Sequence, residues 1–188
     1  MVRYLIFRHG EAETIGPDET RPLTMRGREQ AACLGRRLSS FNASVFITSP
    51  LLRARQTAET VNKYLNLDLQ IDERLREVGS YRMFYEIASG EGYQRRNTLG
   101  DFNRTQLKLI EFIKDVSVQH DGKTILISAH GNIIQALLAI TIGITDIDAL
   151  NRLIVANTGL TVLEWLKDDN YQLVVFNDTN HLGELMFR

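Results

Sequence analysis

The chain has almost no cysteine. Cys33 stands alone among 188 residues, which excludes an internal disulfide and a cysteine-based zinc cluster. Within the helical run "GREQAACLGRRL" it reads as a small interior side chain. There is little net charge. Lysine and arginine total 22 against 23 aspartate and glutamate, a formal net charge of −1, so nothing draws the molecule as a whole toward nucleic acid or an anionic membrane. There is no long hydrophobic run. "NIIQALLAITIGI" is the longest, is interrupted by Gln135 and Thr141, and is too short to span a bilayer. No signal-peptide pattern is present, since strand-like residues begin at Val2. Repeats, low-complexity tracts and linkers are absent too. The expectation is a cytoplasmic protein of one domain over residues 1–188, with 44% hydrophobic residues supplying a sizeable core.

Short continuous apolar runs alternate with helical patterns. "VRYLIF", "SVFITS" and "KTILISA" read as strands buried on both faces, and "LQI" reads as a short one. Helical spacing predicts a helix from about Met25 to Phe41, with Ala31, Leu34 and Leu38 inward. A second helix fits "SPLLRARQTAETVNKYL", with Ser49 as N-cap, Pro50 at the first helical position and Leu51, Ala54, Ala58, Val61 and Leu65 inward. A third fits "DFNRTQLKLIEFIKDV", with Phe102, Leu109, Phe112, Ile113 and Val116 inward. "NIIQALLAITIG" closes on Gly143. "RLIVANTGLTVLEWL" and "YQLVVFN" read as late strands, joined by the polar turn "KDDN". Residues 73–100 are irregular and rich in Arg, Tyr, Glu and Gly, and suit a lid. The pattern predicts an α/β protein: a three-layer α/β/α sandwich with a mostly parallel sheet and helices on both faces.

In such sheets ligands bind beyond the carboxyl ends of the strands. Arg8, His9 and Gly10 follow the first strand, His130 and Gly131 follow "KTILISA", and Arg53 lies one turn into the helix after "SVFITS". Two arginines and two histidines on one edge repel each other unless an anion joins them. Guanidinium groups bind phosphate as a fork, and helix N-termini after Ser49 and His130 add positive potential. One imidazole then serves as nucleophile, its pKa held below about 6.5 by the arginines. The other cations stabilise charge on the transferring group. The leaving group needs a proton, and Glu77 in "ERLREVGS" is the best-placed carboxyl.

The stretches "FRHGEAE", "LTMRGREQA", "TSPLLRARQTAE", "LREVGS", "ISAHGNIIQALL" and "NTGLTVLEW" resemble, in order and over nearly the whole chain, the motifs of the histidine phosphatase (phosphoglycerate-mutase-like) superfamily. The resemblance implies a cofactor-independent phosphomonoesterase. His9 becomes phosphohistidine, Arg8, Arg53, His130 and Gly131 hold the phosphate, and Glu77 donates the proton, a role that rests mainly on the family position. Ala12 and Ile15 depart from the family pattern, which often has Thr or Ser and Asn there. "VGSYRMFYE" departs from its aromatic and glycine-rich form, leaving Glu11 or Glu13 as alternative acids. "RHGEAE" and "RPLT" look more like phosphohistidine phosphatases that act on proteins. Mutases of the family have longer chains, which favours hydrolysis.

Plainer readings apply elsewhere. His120 and His181 read as surface residues. Arg82, Arg95 and Arg96 suit a substrate rim. A metal site of His9, His130 and Glu77 is disfavoured by the adjacent arginines. A phosphate-recognising binding module is the non-enzymatic alternative. The partners expected are a small phosphorylated metabolite or a phosphoprotein, with no nucleic acid and no membrane. A homodimer is left open.

Overall fold

The computed structural model describes residues 1–77, 98–146, 149–150, 152–167 and 170–186. Residues 78–97, with Arg82, Arg95, Arg96 and most of the expected lid, lie outside the described residues. So do the side chain of Phe102 and residues 168–169 of the late turn.

The elements run β1 (Val2–Arg8), α1 (Met25–Leu38), β2 (Val45–Thr48), α2 (Leu52–Asn62), β3 (Leu69–Ile71), α3 (Thr98–Gln119), β4 (Thr124–Ala129), α4 (Gly131–Ile142), β5 (Leu160–Lys167) and β6 (Asn170–Asp178). They form one six-stranded sheet in the order β3-β2-β4-β1-β5-β6. The first four strands are parallel, whereas β5 runs antiparallel to β1 and β6 antiparallel to β5. β1 and β4 are the central parallel pair, in register from Arg3 with Thr124 to Arg8 with Ala129.

Their unbroken apolar runs are explained by cover on both faces. Tyr4, Ile6, Ile125 and Ile127 point into one core with Leu109, Phe112, Ile113 and Val116 of α3 and Ile133, Ile134, Leu137 and Leu138 of α4. Leu5, Phe7 and Leu126 point into the other, with Leu34 and Leu38 of α1 and Ala58 and Val61 of α2. Each large aliphatic or aromatic side chain so buried stabilises the fold by about 1.5–3 kcal/mol relative to exposure. Among the described residues no helix is long and apolar enough to cross a membrane.

Several local readings shift. Helix α1 stops at Leu38 rather than Phe41, where Ser39 N–H returns to Gly35 O and Phe41 packs under the sheet. Helix α2 starts at Leu52, and Leu51, not Ser49, holds the N-cap position. The late strand begins only at Leu160, because Ala156–Gly159 form a turn with Thr158 at φ 54°. His120 is buried at 9% exposure and His181 is half-buried, so neither lies on the open surface. Gly143 does close α4, in the left-handed region at φ 71°.

Candidate active site

The register brings three strand ends together. Thr48 pairs with Ser128 and Arg8 with Ala129, so Ser49, His9 and His130 leave neighbouring strands at one rim. The β1–β4 ladder continues for one bond more, from His9 N–H to Ala129 O (3.0 Å). The start of the late hairpin secures the same turn. Asn157 Nδ2 donates to His9 O (2.9 Å) and Thr158 N–H donates to Arg8 O (3.0 Å).

The His9 ring is assigned by its neighbours. Nδ1 lies 2.7 Å from the carbonyl of Gly10, which can only accept, so Nδ1 carries the proton. Nε2 keeps its lone pair and accepts from Arg53 Nε–H at 3.1 Å. Burial, followed by the charge of Arg8, pulls the His9 pKa down to about 3. Arg53 and Arg21 add to this, while the Gly10 carbonyl opposes it. The imidazole is therefore neutral and nucleophilic at neutral pH.

His130 is fully buried and occupies the N-cap position of α4. Its ring lies 5.2 Å from that of His9, centroid to centroid, at 60°. Nε2 is 2.7 Å from Ser49 Oγ, which also accepts from Leu51 N–H at 3.3 Å. Ser49 thus serves His130 instead of capping α2. With Ser49 as donor, His130 carries its proton on Nδ1, a buried nitrogen without a hydrogen-bond partner among the described residues. Burial first, then His9, Arg53 and Arg8, hold this pKa well below the usual histidine range.

Arg8 Nη1 donates to Val155 O at 2.7 Å. Arg53 is 6% exposed. Besides His9 it donates through Nη1 to Asp18 O (2.8 Å) and through Nη2 to Asp18 Oδ2 (3.3 Å). Burial lowers its pKa, and the charges of Glu77 and Glu19 raise it. Thr57 ties clamp to turn, accepting from Gly10 N–H (3.0 Å) and donating to Arg53 O (2.7 Å). Gln56 of the same motif accepts from Leu23 N–H (2.8 Å).

These groups surround a cavity of about 600 Å³ whose walls include Arg8, His9, Arg53, Glu77 and Gly131. Glu77 shares this wall, as do Glu11 and Glu13. His130 stands behind the wall, stacked edge-on against His9. Sequence reasoning missed Asp18, Arg21, Thr57 and Asn157. Arg21, Thr57 and Asn157 lay in quoted motifs, "RPLT", "RARQTAE" and "NTGLTVLEW", whereas Asp18 had no signal beyond a polar loop. No group of three or more His, Cys, Asp or Glu that could hold a metal occurs among the described residues. The arrangement is suited to binding a tetrahedral anion beside a neutral imidazole.

Known proteins resemble the chain in sequence and in fold. The chain is 27% identical over 200 residues to the uncharacterized phosphatase PhoE of Bacillus subtilis, covering 97% of this chain and 98% of that protein. It is 27% identical over 186 residues to 2-carboxy-D-arabinitol-1-phosphatase of Triticum aestivum, covering 87% of this chain but only 37% of that longer protein. The solved structure of Bacillus stearothermophilus YhfR shares the fold, with a TM-score of 0.78 at 24% identity over 97% of this chain and all of that one. The profile of the histidine phosphatase superfamily (branch 1) matches residues 4–179, and the chain belongs to that superfamily.

Proposed function

We propose that the protein is a metabolite phosphomonoesterase that works through a phosphohistidine on His9 Nε2, without metal or organic cofactor. The observation that carries this reading is the nucleophile itself: a buried, neutral imidazole with its Nε2 lone pair directed at the Arg53 guanidinium.

In the first step the Nε2 lone pair forms a bond to phosphorus, and the bond from phosphorus to the ester oxygen breaks. Glu77 gives its proton to the departing oxygen. In the second step Glu77 takes a proton from water, whose oxygen attacks phosphorus. The P–N bond breaks, its electron pair returns to Nε2, and inorganic phosphate leaves. Arg8, Arg53 and the Gly131 N–H at the head of α4 stabilise charge on the transferring group, with His130 edge-on behind His9. Low pKa values at His9 and His130 keep the nucleophile unprotonated, and the arginines hold the positive charge.

The cavity has the size of small-molecule sites, roughly 300–1,000 Å³, which favours a phosphorylated metabolite over a protein substrate. The wheat relative's name, 2-carboxy-D-arabinitol-1-phosphatase, supports the same class. The reading extends to a single domain acting in the cytoplasm.

The test is turnover of para-nitrophenyl phosphate, a panel of phosphorylated metabolites and a phosphohistidine peptide, all in the presence of a chelator. Expected are metabolite hydrolysis, loss of at least about a thousandfold in His9→Ala, and an acid-labile, alkali-stable phosphoenzyme. Preference for the phosphohistidine peptide reassigns the substrate, and activity retained in His9→Ala removes the mechanism.

A further inference from the structure

One charged contact at the site has no part in the phosphatase chemistry. All three guanidinium nitrogens of Arg53 are engaged: Nε by His9, Nη1 by the Asp18 carbonyl and Nη2 by the Asp18 carboxylate. The same carboxylate forms an ion pair with Arg21, and Asp18 and Arg21 both line the cavity that contains His9. Asp18 opens a single 3-10 turn, Asp18–Thr20, two residues after Gly16 at φ 102°, a conformation that suits glycine. The root of this loop is pinned by the Ala12–Leu23 bridge and by Glu13 N–H to Pro22 O (2.9 Å). The loop therefore has a fixed base and delivers a carboxylate to the clamp.

A phosphoryl group offered to His9 Nε2 needs the outer edge of the Arg53 guanidinium. A carboxylate and a phosphoryl group present the same paired oxygens to that fork, and one fork cannot hold both. We propose that the Asp18 carboxylate is an internal competitor for the phosphoryl position. It pairs with Arg53 and Arg21, gives way to a dianionic phosphoryl group and returns as phosphate departs. The contact from Arg53 Nη1 to the Asp18 carbonyl uses main-chain oxygen and persists through the exchange. Two properties follow. Phosphate is bound less tightly than the arginines alone would bind it, so the product is released readily. Singly charged anions, which gain less from the clamp, are discriminated against.

The proposal rests on the phosphate-site reading, and calorimetric titration with inorganic phosphate separates the two. The proteins are wild type, Asp18→Asn and Glu19→Gln, the last removing an exposed carboxylate of the same 3-10 turn that lies outside the cavity lining and acts on Arg53 through its charge. The Asp18 side chain is 46% exposed, so the amide is accommodated without loss of the fold. Asp18→Asn is expected to tighten phosphate roughly three- to fivefold, the range of a partly exposed ion pair, and to lower KM for para-nitrophenyl phosphate. Glu19→Gln is expected to change Kd by less than about twofold, through screened charge alone. Equal or weaker binding by Asp18→Asn, or equal tightening by both variants, overturns the competitor. No phosphate binding by any of the three overturns the phosphate-site reading itself.

Discussion

Gly10 and Gly27 meet backbone to backbone. A Cβ on Gly10 would lie 2.4 Å from the Gly27 carbonyl oxygen, and a Cβ on Gly27 would lie 2.0 Å from the Glu11 carbonyl oxygen. The residue after His9 is thus glycine because the first turn of α1 presses on it. Gly131 is different, since a Cβ there would only reach ordinary contact with Arg8.

Gly27→Ala is accordingly expected to force the His9–Glu11 turn away from α1. Overpacking of this kind costs about 1–3 kcal/mol, readable as a lower urea midpoint. Because the displaced turn carries the Gly10 carbonyl that fixes the His9 tautomer, kcat is expected to fall more than stability alone accounts for. An unchanged urea midpoint would show that the turn relaxes freely.

Acid should weaken the fold through the same histidine. His9 titrates near pH 3 in the folded protein and near 6.5 when unfolded. Between these values the unfolded chain binds the extra proton, so stability is full above about pH 6.5 and falls as the pH drops toward 3. The slope is up to about 1.4 kcal/mol per pH unit for each such group. His130 is shifted in the same direction and steepens the fall. Urea unfolding across this range is the measurement, and His9→Asn should flatten the curve. Equal slopes in both proteins would mean that His9 is not held neutral by the fold.

Glu77 is tested by varying the leaving group. An alkoxide needs a proton as it departs, whereas para-nitrophenolate does not. Glu77→Gln is therefore expected to reduce kcat by about a hundredfold or more on alkyl phosphates and by only a few fold on para-nitrophenyl phosphate. Equal losses on both would move the acid to Glu11 or Glu13, which line the same cavity.

The sequence reading was strongest where the physics is local. Runs such as "YLIF" and "ILIS" are short, bounded and rich in strand formers, which reads as strands covered on both sides, and successive apolar residues of β1 and β4 alternate between the two cores. Arg8, His9 and His130 were placed by that same reading, because each ends or follows a buried strand. Ser49 was misread because a serine before proline is a good cap in isolation. Only the β2–β4 register, set by pairings about 80 residues apart in sequence, brings it to His130. The direction of β5 was equally hidden, since apolar alternation does not encode whether a strand enters a sheet from above or below. Asp18 was illegible because its position depends on a loop whose path is set by Gly16 and by the distant partner Arg53.

The bonds from Asn157 and Thr158 to the main chain of His9 and Arg8 give the C-terminal hairpin a mechanical task. Two amide donors nearly 150 positions downstream brace the segment that presents the imidazole. Damage to that remote ribbon is thereby transmitted to the His9 imidazole, and the rim that opens near the front of the polypeptide is held in place from its rear.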